Sequence, residues 1–332
     1  MKHAVLLQRR MMEKVLTVTF NPTVDAASEA EVVRPTHKIR TFDESFHPGG
    51  GGINVARVVH RLGGDVKALY ASGGIMGNVL NHLLEDRCIQ CIKIAISGNT
   101  RVNNVIHERA SGMEYRFIAE GPIMKETEWK AVIDATKKLE WDWIVVSGSL
   151  PRNVPIDVYD MLIDIAKKRN ARIVIDTSGE ALKHVLDKGG VTLVKPSQGE
   201  FEACTGKTYN LTDDIAKAAQ EYCIKGASEI ITVTLGHQGA VLATKDKTLY
   251  LPSPHVRVIS ASGAGDSFVA GMVQGLALGW EAEDAFRLAT ACGTAAVAEK
   301  GNGLCQLPNI KRLYNYLARK GKNIGPATLS QD

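Results

Sequence analysis

With 332 residues, the chain is long enough to bury roughly three quarters of its unfolded surface in a single large domain. It is 45% hydrophobic and 23% charged, ordinary for a globular protein. A net charge of +4 with no basic run excludes an extended nucleic-acid surface, and no apolar stretch approaches the ~20 residues of a membrane span. These features lead us to expect a cytoplasmic protein that binds neither nucleic acid nor membrane.

Residues 1–13 read as a disordered N-terminal extension, because Ala4–Leu7 is too short for a signal sequence and Gln8-Arg9-Arg10 ends it without a cleavage site. Val15–Thr19 is a β-branched run expected to form a buried first strand. Ile53–Leu62 places apolar residues at helical spacing and stops at Gly63-Gly64. Val66–Ala71 follows as a strand and Asn78–Glu85 as a helix. Cys88 and Cys91 form a C-x-x-C after that helix, with no second pair to complete a zinc site, and read as reduced cysteines at a helix–strand junction.

From about residue 125, helices alternate with the short strands Trp143–Ser147, Arg172–Asp176, Val191–Lys195 and Ile230–Leu235. This rhythm predicts a mostly parallel sheet covered on both faces. Residues 28–47 and 98–119 break the rhythm as extended segments without helices, including Thr36–Arg40 and Arg101–Ile106. They predict a small sheet of their own, a lid on the α/β body. The domain therefore spans 14–320, with 321–332 as a tail.

Gly263-Ala264-Gly265-Asp266 precedes an apolar helix. Small residues at a helix N-terminus expose backbone N–H groups to an anion, and Asp266 is placed to take a proton from an attacking hydroxyl. The competing reading is a glycine-rich turn in which Asp266 caps the helix. Pro48-Gly49-Gly50-Gly51-Gly52-Ile53-Asn54 permits close backbone approach to a ligand, with the Asn54 amide available to hydroxyls. It is no dinucleotide fingerprint, since Asn54 holds the third glycine position, and Cys204–Thr208 is no phosphate-binding P-loop, since Phe201 stands where the first glycine belongs. Asp176 ends a buried strand and reads as a turn-forming carboxylate.

PGGGGINVAR, SGSLP (147–151), LVKPSQGEF (193–201), TLGHQGA (234–240) and SGAGDSF, in this order over residues 14–318, resemble the PfkB family of ribokinase-like sugar kinases. The four-glycine loop and Thr36–Thr41 look most like its minor, PfkB-type bacterial 6-phosphofructokinase branch. The resemblance implies a three-layer α/β/α domain with a mostly parallel central sheet and a small β-sheet lid, active as a homodimer through that lid. It implies ATP and Mg2+ as cofactors and a sugar phosphate as substrate, foremost fructose 6-phosphate. 1-Phosphofructokinase and tagatose-6-phosphate kinase activities are the near alternatives, and a non-catalytic sugar-phosphate sensor is the other class. By resemblance, Asp266 is the general base and Gly263, Ala264 and Gly265 the anion hole. Asp25, Gly50, Gly51, Asn54 and Ser149 would hold the sugar, and Lys38 and Arg101 its phosphate. Lys195, Ser197, Thr234, Gly236 and Gly239 would line the nucleotide site, and Glu200 would organise magnesium. Two departures stand out: Ser197 replaces the Asn of the family's N-x-x-E, and Ala261 replaces a Thr, the first of which implies weaker metal affinity.

Overall fold

A computed structural model describes residues 12–320 except Asp86, Cys88, Lys300 and Asn302. The expected tail 321–332, residues 1–11 of the expected extension and Cys88 of the C-x-x-C lie outside the described residues.

The main sheet has nine strands in the order β13-β12-β11-β10-β9-β8-β1-β4-β5. From one end these are Thr248–Leu251, Ala240–Thr244, Ser228–Thr234, Val191–Val194, Arg172–Asp176, Trp143–Ser147, Val15–Thr19, Val66–Ser72 and Gln90–Ala95. All pairings from β11 to β5 are parallel, while β12 runs antiparallel to both of its neighbours. Val15–Thr19 is buried at every position because it sits mid-sheet with helices on both faces.

Alternate residues of each strand feed two cores. Val66, Ala68, Val145, Val174 and Leu242 pack with α1 (Gly51–Arg61), α2 (Gly74–Glu85), α8 (Ala264–Ala277), α9 (Ala282–Ala296) and α10 (Leu307–Lys320). Leu16, Val18, Ile144, Ile173 and Val233 pack on the other side with α3 (Glu126–Lys138), α4 (Val158–Lys168), α5 (Gly179–Lys188), α6 (Gln198–Thr205) and α7 (Thr212–Ile224). The period of two along each strand thus builds the expected three layers.

A second sheet of four strands has the order β3-β2-β6-β7, from Thr41–Gly49, Thr23–Ala30, Arg101–Glu108 and Glu114–Phe117. Three expectations need correction. The chain enters this sheet at Thr23, soon after β1, so the first segment of the small sheet starts before residue 28 and includes Asp25. Thr36–Arg40 is not strand: it lies in the loop between β2 and β3, where Pro35 leads into Thr36 at φ 64° and His37 N–H turns back to the Arg34 carbonyl. Glu13, counted with the extension, is tied down by accepting a hydrogen bond from Trp143 Nε1 and pairing with Arg172 at 3.0 Å.

Candidate active site

Helix α8 is preceded by Gly263 at its N-cap, whose φ of 72° lies in the left-handed region that favours glycine. The N–H groups of Gly265 and Asp266, in the first turn, have no partner further back in the helix, while Ala264 N–H makes a long contact of 3.5 Å to the Ala261 carbonyl. The helix is held rigidly because its glycines allow α9 to come close. A Cβ on Gly271 would sit 2.6 Å from Ala289, and one on Gly275 would sit 2.7 Å from Ala285.

Asp266 is half-buried in the first turn, and its Oδ2 accepts a 2.8 Å hydrogen bond from Asn54 Nδ2. Burial of the carboxyl, with the charge of Asp176 next in weight, pushes Asp266 up to about 7. Asn54 and Lys195 oppose that rise, and Asp25 adds to it. A carboxylate titrating near neutrality is suited to accept a proton during turnover and pass it on afterwards.

Lys195, only 6% exposed, lies one residue beyond β10. Its ammonium is 3.2 Å from Asp176 Oδ1, and a Cβ on Gly265 would lie 3.5 Å from Nζ. Burial alone would lower this lysine, but Asp176, Glu200 and Asp266 together raise it above its usual value. Asp176 is thus no turn carboxylate. It closes β9 in register with Ser147, whose hydroxyl donates to Asp176 Oδ2 at 3.1 Å, and it holds the Lys195 ammonium near Gly265. Sequence reasoning missed this role because it depends on which strands are neighbours.

The glycine loop before α1 is packed against the protein itself. A Cβ on Gly49 would come 2.1 Å from Asp25 Oδ2, on Gly51 2.2 Å from Ser147 Oγ, and on Gly52 2.4 Å from Thr19 Oγ1. Gly50 adopts φ 108°, beyond the reach of other residues. The glycines therefore bring the loop against the ends of β1, β2 and β8, which carries Asn54 to Asp266. Asn54 is 5% exposed, with its Oδ1 accepting from Arg57 at 3.1 Å. Asp25 accepts from Asn103 Nδ2 at 3.1 Å across the β2–β6 pairing.

The other side of Gly265 opens on a cavity of about 390 Å³ lined by Thr234, Gly236, Gly239, Ala261, Ala264 and Gly265. Apolar Val256, Val258, Phe268 and Val297 complete it, with Thr290, Gly293 and Thr294 from α9. These α9 and loop residues were absent from the sequence reading. The small-residue run Ala289–Ala296 was the available signal, since such runs mark close backbone approach. Ser197 caps α6 and pairs in register with Thr234. Its N–H and hydroxyl both donate to Glu200 Oε2, at 2.7 and 2.8 Å.

The remaining expected residues are less convergent. Lys38 is exposed in the β2–β3 loop. Arg101 starts β6, and its guanidinium donates to the carbonyls of Ala119 at 2.7 Å and Asn21 at 3.0 Å, with the Asp25 charge acting on it. Ser149 is exposed and accepts from Asn21 Nδ2 at 3.2 Å.

Residues 18–310 match the model of the pfkB family carbohydrate kinases. This chain belongs to that family. The kinase is 36% identical over 309 residues to the ATP-dependent 6-phosphofructokinase isozyme 2 of Escherichia coli (strain K12), across 93% of this chain and 100% of that one. It is 30% identical over 282 residues to the 1-phosphofructokinase of Bacillus subtilis (strain 168), across 85% and 91%. The crystal structure of the phosphofructokinase-2 from Escherichia coli in complex with substrates and products matches with a TM-score of 0.89 at 36% identity, across 92% of this chain and 100% of that one.

Proposed function

We propose that the protein phosphorylates the 1-hydroxyl of fructose 6-phosphate from ATP, with Asp266 as general base. The observation that carries this reading is the Asp266 carboxyl. It is raised to about 7, hydrogen-bonded to Asn54, and set in the first turn of α8 between the glycine loop and the 390 Å³ cavity. In this arrangement Asp266 takes the proton of the sugar hydroxyl as its oxygen attacks the γ-phosphorus, and the bond from that phosphorus to the bridging oxygen breaks to release ADP. The backbone of the Gly263-Ala264-Gly265 anion hole and the Lys195 ammonium balance charge on the transferring phosphoryl group. Asp25, Gly50, Gly51, Asn54 and Ser149 hold the sugar, and Arg101 and Lys38 hold the phosphate it already carries. Thr234, Gly236 and Gly239 line the nucleotide side.

Magnesium fits the donor set here. Glu200 presents a carboxylate in the first turn of α6, oriented by Ser197, and magnesium bound with substrate phosphates needs only one or two protein carboxylates. Bound there, it would neutralise phosphate charge. Among the described residues the one three-ligand cluster, Asp157, Asp160 and His184, lies elsewhere, and Lys188 already pairs with Asp160 at 3.3 Å.

We place the working enzyme in the cytoplasm, since among the described residues no helix is long and apolar enough to cross a membrane. We also propose a homodimer through the small sheet, acting as a lid. Its face away from Asp25 carries Phe46 and Phe117, 53% and 55% exposed, beside Ile106 and Val102. An unpaired apolar face of this kind calls for a partner, and a second copy of the sheet supplies a matching one. Sedimentation tests this, and a purely monomeric mass would refute it.

The catalytic reading is tested by ADP release with Mg-ATP against fructose 6-phosphate, fructose 1-phosphate, tagatose 6-phosphate and fructose. Preference for fructose 6-phosphate supports it. Preference for another phosphosugar keeps the mechanism and moves the substrate. No turnover with any would favour a sensor, although the intact base and anion hole argue against one.

A further inference from the structure

We infer that Arg57 is a positioning residue for the catalytic base, acting through Asn54. The inference rests on the reading of Asp266 as that base.

Arg57 lies on α1, one turn after Asn54, and is 4% exposed. Its NH1 donates to two acceptors, Asn54 Oδ1 at 3.1 Å and the Pro48 carbonyl at 2.9 Å. A guanidinium has donors only. The oxygen of the Asn54 amide must therefore face Arg57, which turns its NH2 toward Asp266 Oδ2 at 2.8 Å. Without that donor the amide loses the contact that directs its oxygen away from the carboxylate. The Pro48 contact holds the start of the glycine loop by the same nitrogen, so the loop and the base are aligned by one side chain. Burying a cation is costly unless it is paired and hydrogen-bonded. Here the site returns that cost as orientation. Burial, with Arg87 and Arg61 adding to it, lowers Arg57 to about 9, so it remains cationic at neutral pH.

The groups acting on Asp266 are Asp176 from β9, Asp25 from β2, Lys195 after β10 and Asn54 from α1, and the Arg57 and Asp266 charges attract one another. Removing Arg57 takes away a nearby positive charge and loosens the Asn54 donor. Both effects disfavour the ionised base. The acid limb of the pH profile should then move to higher pH.

The test is a double-mutant cycle on kcat with Arg57→Met, Asn54→Ser and the pair, each normalised to folded protein by thermal melting. We expect Arg57→Met to lower kcat on the order of 10- to 100-fold. In the Asn54→Ser background the same change should cost little, because the route is already cut. Arg57→Lys, which keeps a donor and the charge, should recover part of the loss and covers the case in which Arg57→Met does not fold. Additive losses with an unmoved acid limb would overturn the inference and leave Arg57 a packing residue. Asp266→Asn, run alongside, separates the two failures. If it retains turnover, the reading of the base is wrong, whatever Arg57 does.

Discussion

Lys195 and Asp176 close a buried ion pair at 3.2 Å, and the ammonium of that pair stands beside Gly265 in the first turn of α8. One carboxylate therefore does two things: it holds the cation, and through its own charge it raises Asp266. Replacing Asp176 by Asn removes a negative charge near the base, so Asp266 becomes a stronger acid. The acid limb of kcat/KM against pH, expected near 7 in the parent from the Asp266 carboxyl, should shift to lower pH. The variant should also lose stability, on the order of 3 kcal/mol, because a buried ammonium is left unpaired. An unmoved or alkaline-shifted limb would count against this wiring.

Asp266 carries a stability cost that its removal should reveal. Its folded value, about 7, lies above the ordinary 3.8. Between those two values the native state keeps a proton that the unfolded chain has released, so stability falls as pH rises through that window. Above pH 7 the full penalty is present, on the order of 2–4 kcal/mol. Asp266→Asn should melt several degrees higher than the parent at pH 8, and the gain should shrink toward pH 4. A gain that grows on acidification would contradict the assignment.

Gly49→Ala tests the packing of the glycine loop. The new methyl would meet Asp25 Oδ2 and Cγ, at 2.1 and 2.6 Å, and Thr23 Cγ2 at 2.7 Å, so the side chains at the start of β2 must shift. Displacing Asp25 should raise the sugar KM roughly tenfold or more while kcat changes less. Equal losses in kcat and kcat/KM would instead place Asp25 in the transition state alone.

Ser197→Ala removes the hydroxyl of the α6 capping box. It should cost about 1 kcal/mol in denaturant melts. It should also raise the magnesium concentration for half-maximal turnover, because Glu200 loses one of its two hydrogen bonds from Ser197. A magnesium titration superimposable on the parent's would remove Ser197 from metal organisation.

The parts of the site that were legible in the sequence are local ones. Gly263–Asp266 opens a helix whose apolar face is continuous, and the alternation after residue 125 predicts the parallel sheet because each strand and helix carries its own period. What was not legible depends on neighbours distant in the chain. Asp176 gains its role from the β8–β9 register and from Lys195 on the next strand over. The glycines of residues 49–52 read as ligand-facing, yet the contacts that demand them are with Asp25, Ser147 and Thr19. Thr36–Arg40 alternates like a strand, but a left-handed Thr36 after Pro35 makes it a loop, a conformation that residue pattern does not announce. The α9 wall of the cavity went unread because which helix borders the opening before α8 is decided by packing between elements, not by local pattern.

The most direct measurement is turnover of Asp266→Asn with saturating Mg-ATP and fructose 6-phosphate, beside the parent protein. The account predicts a fall of about 10²- to 10⁴-fold with nucleotide binding retained. Turnover within tenfold of the parent would contradict it.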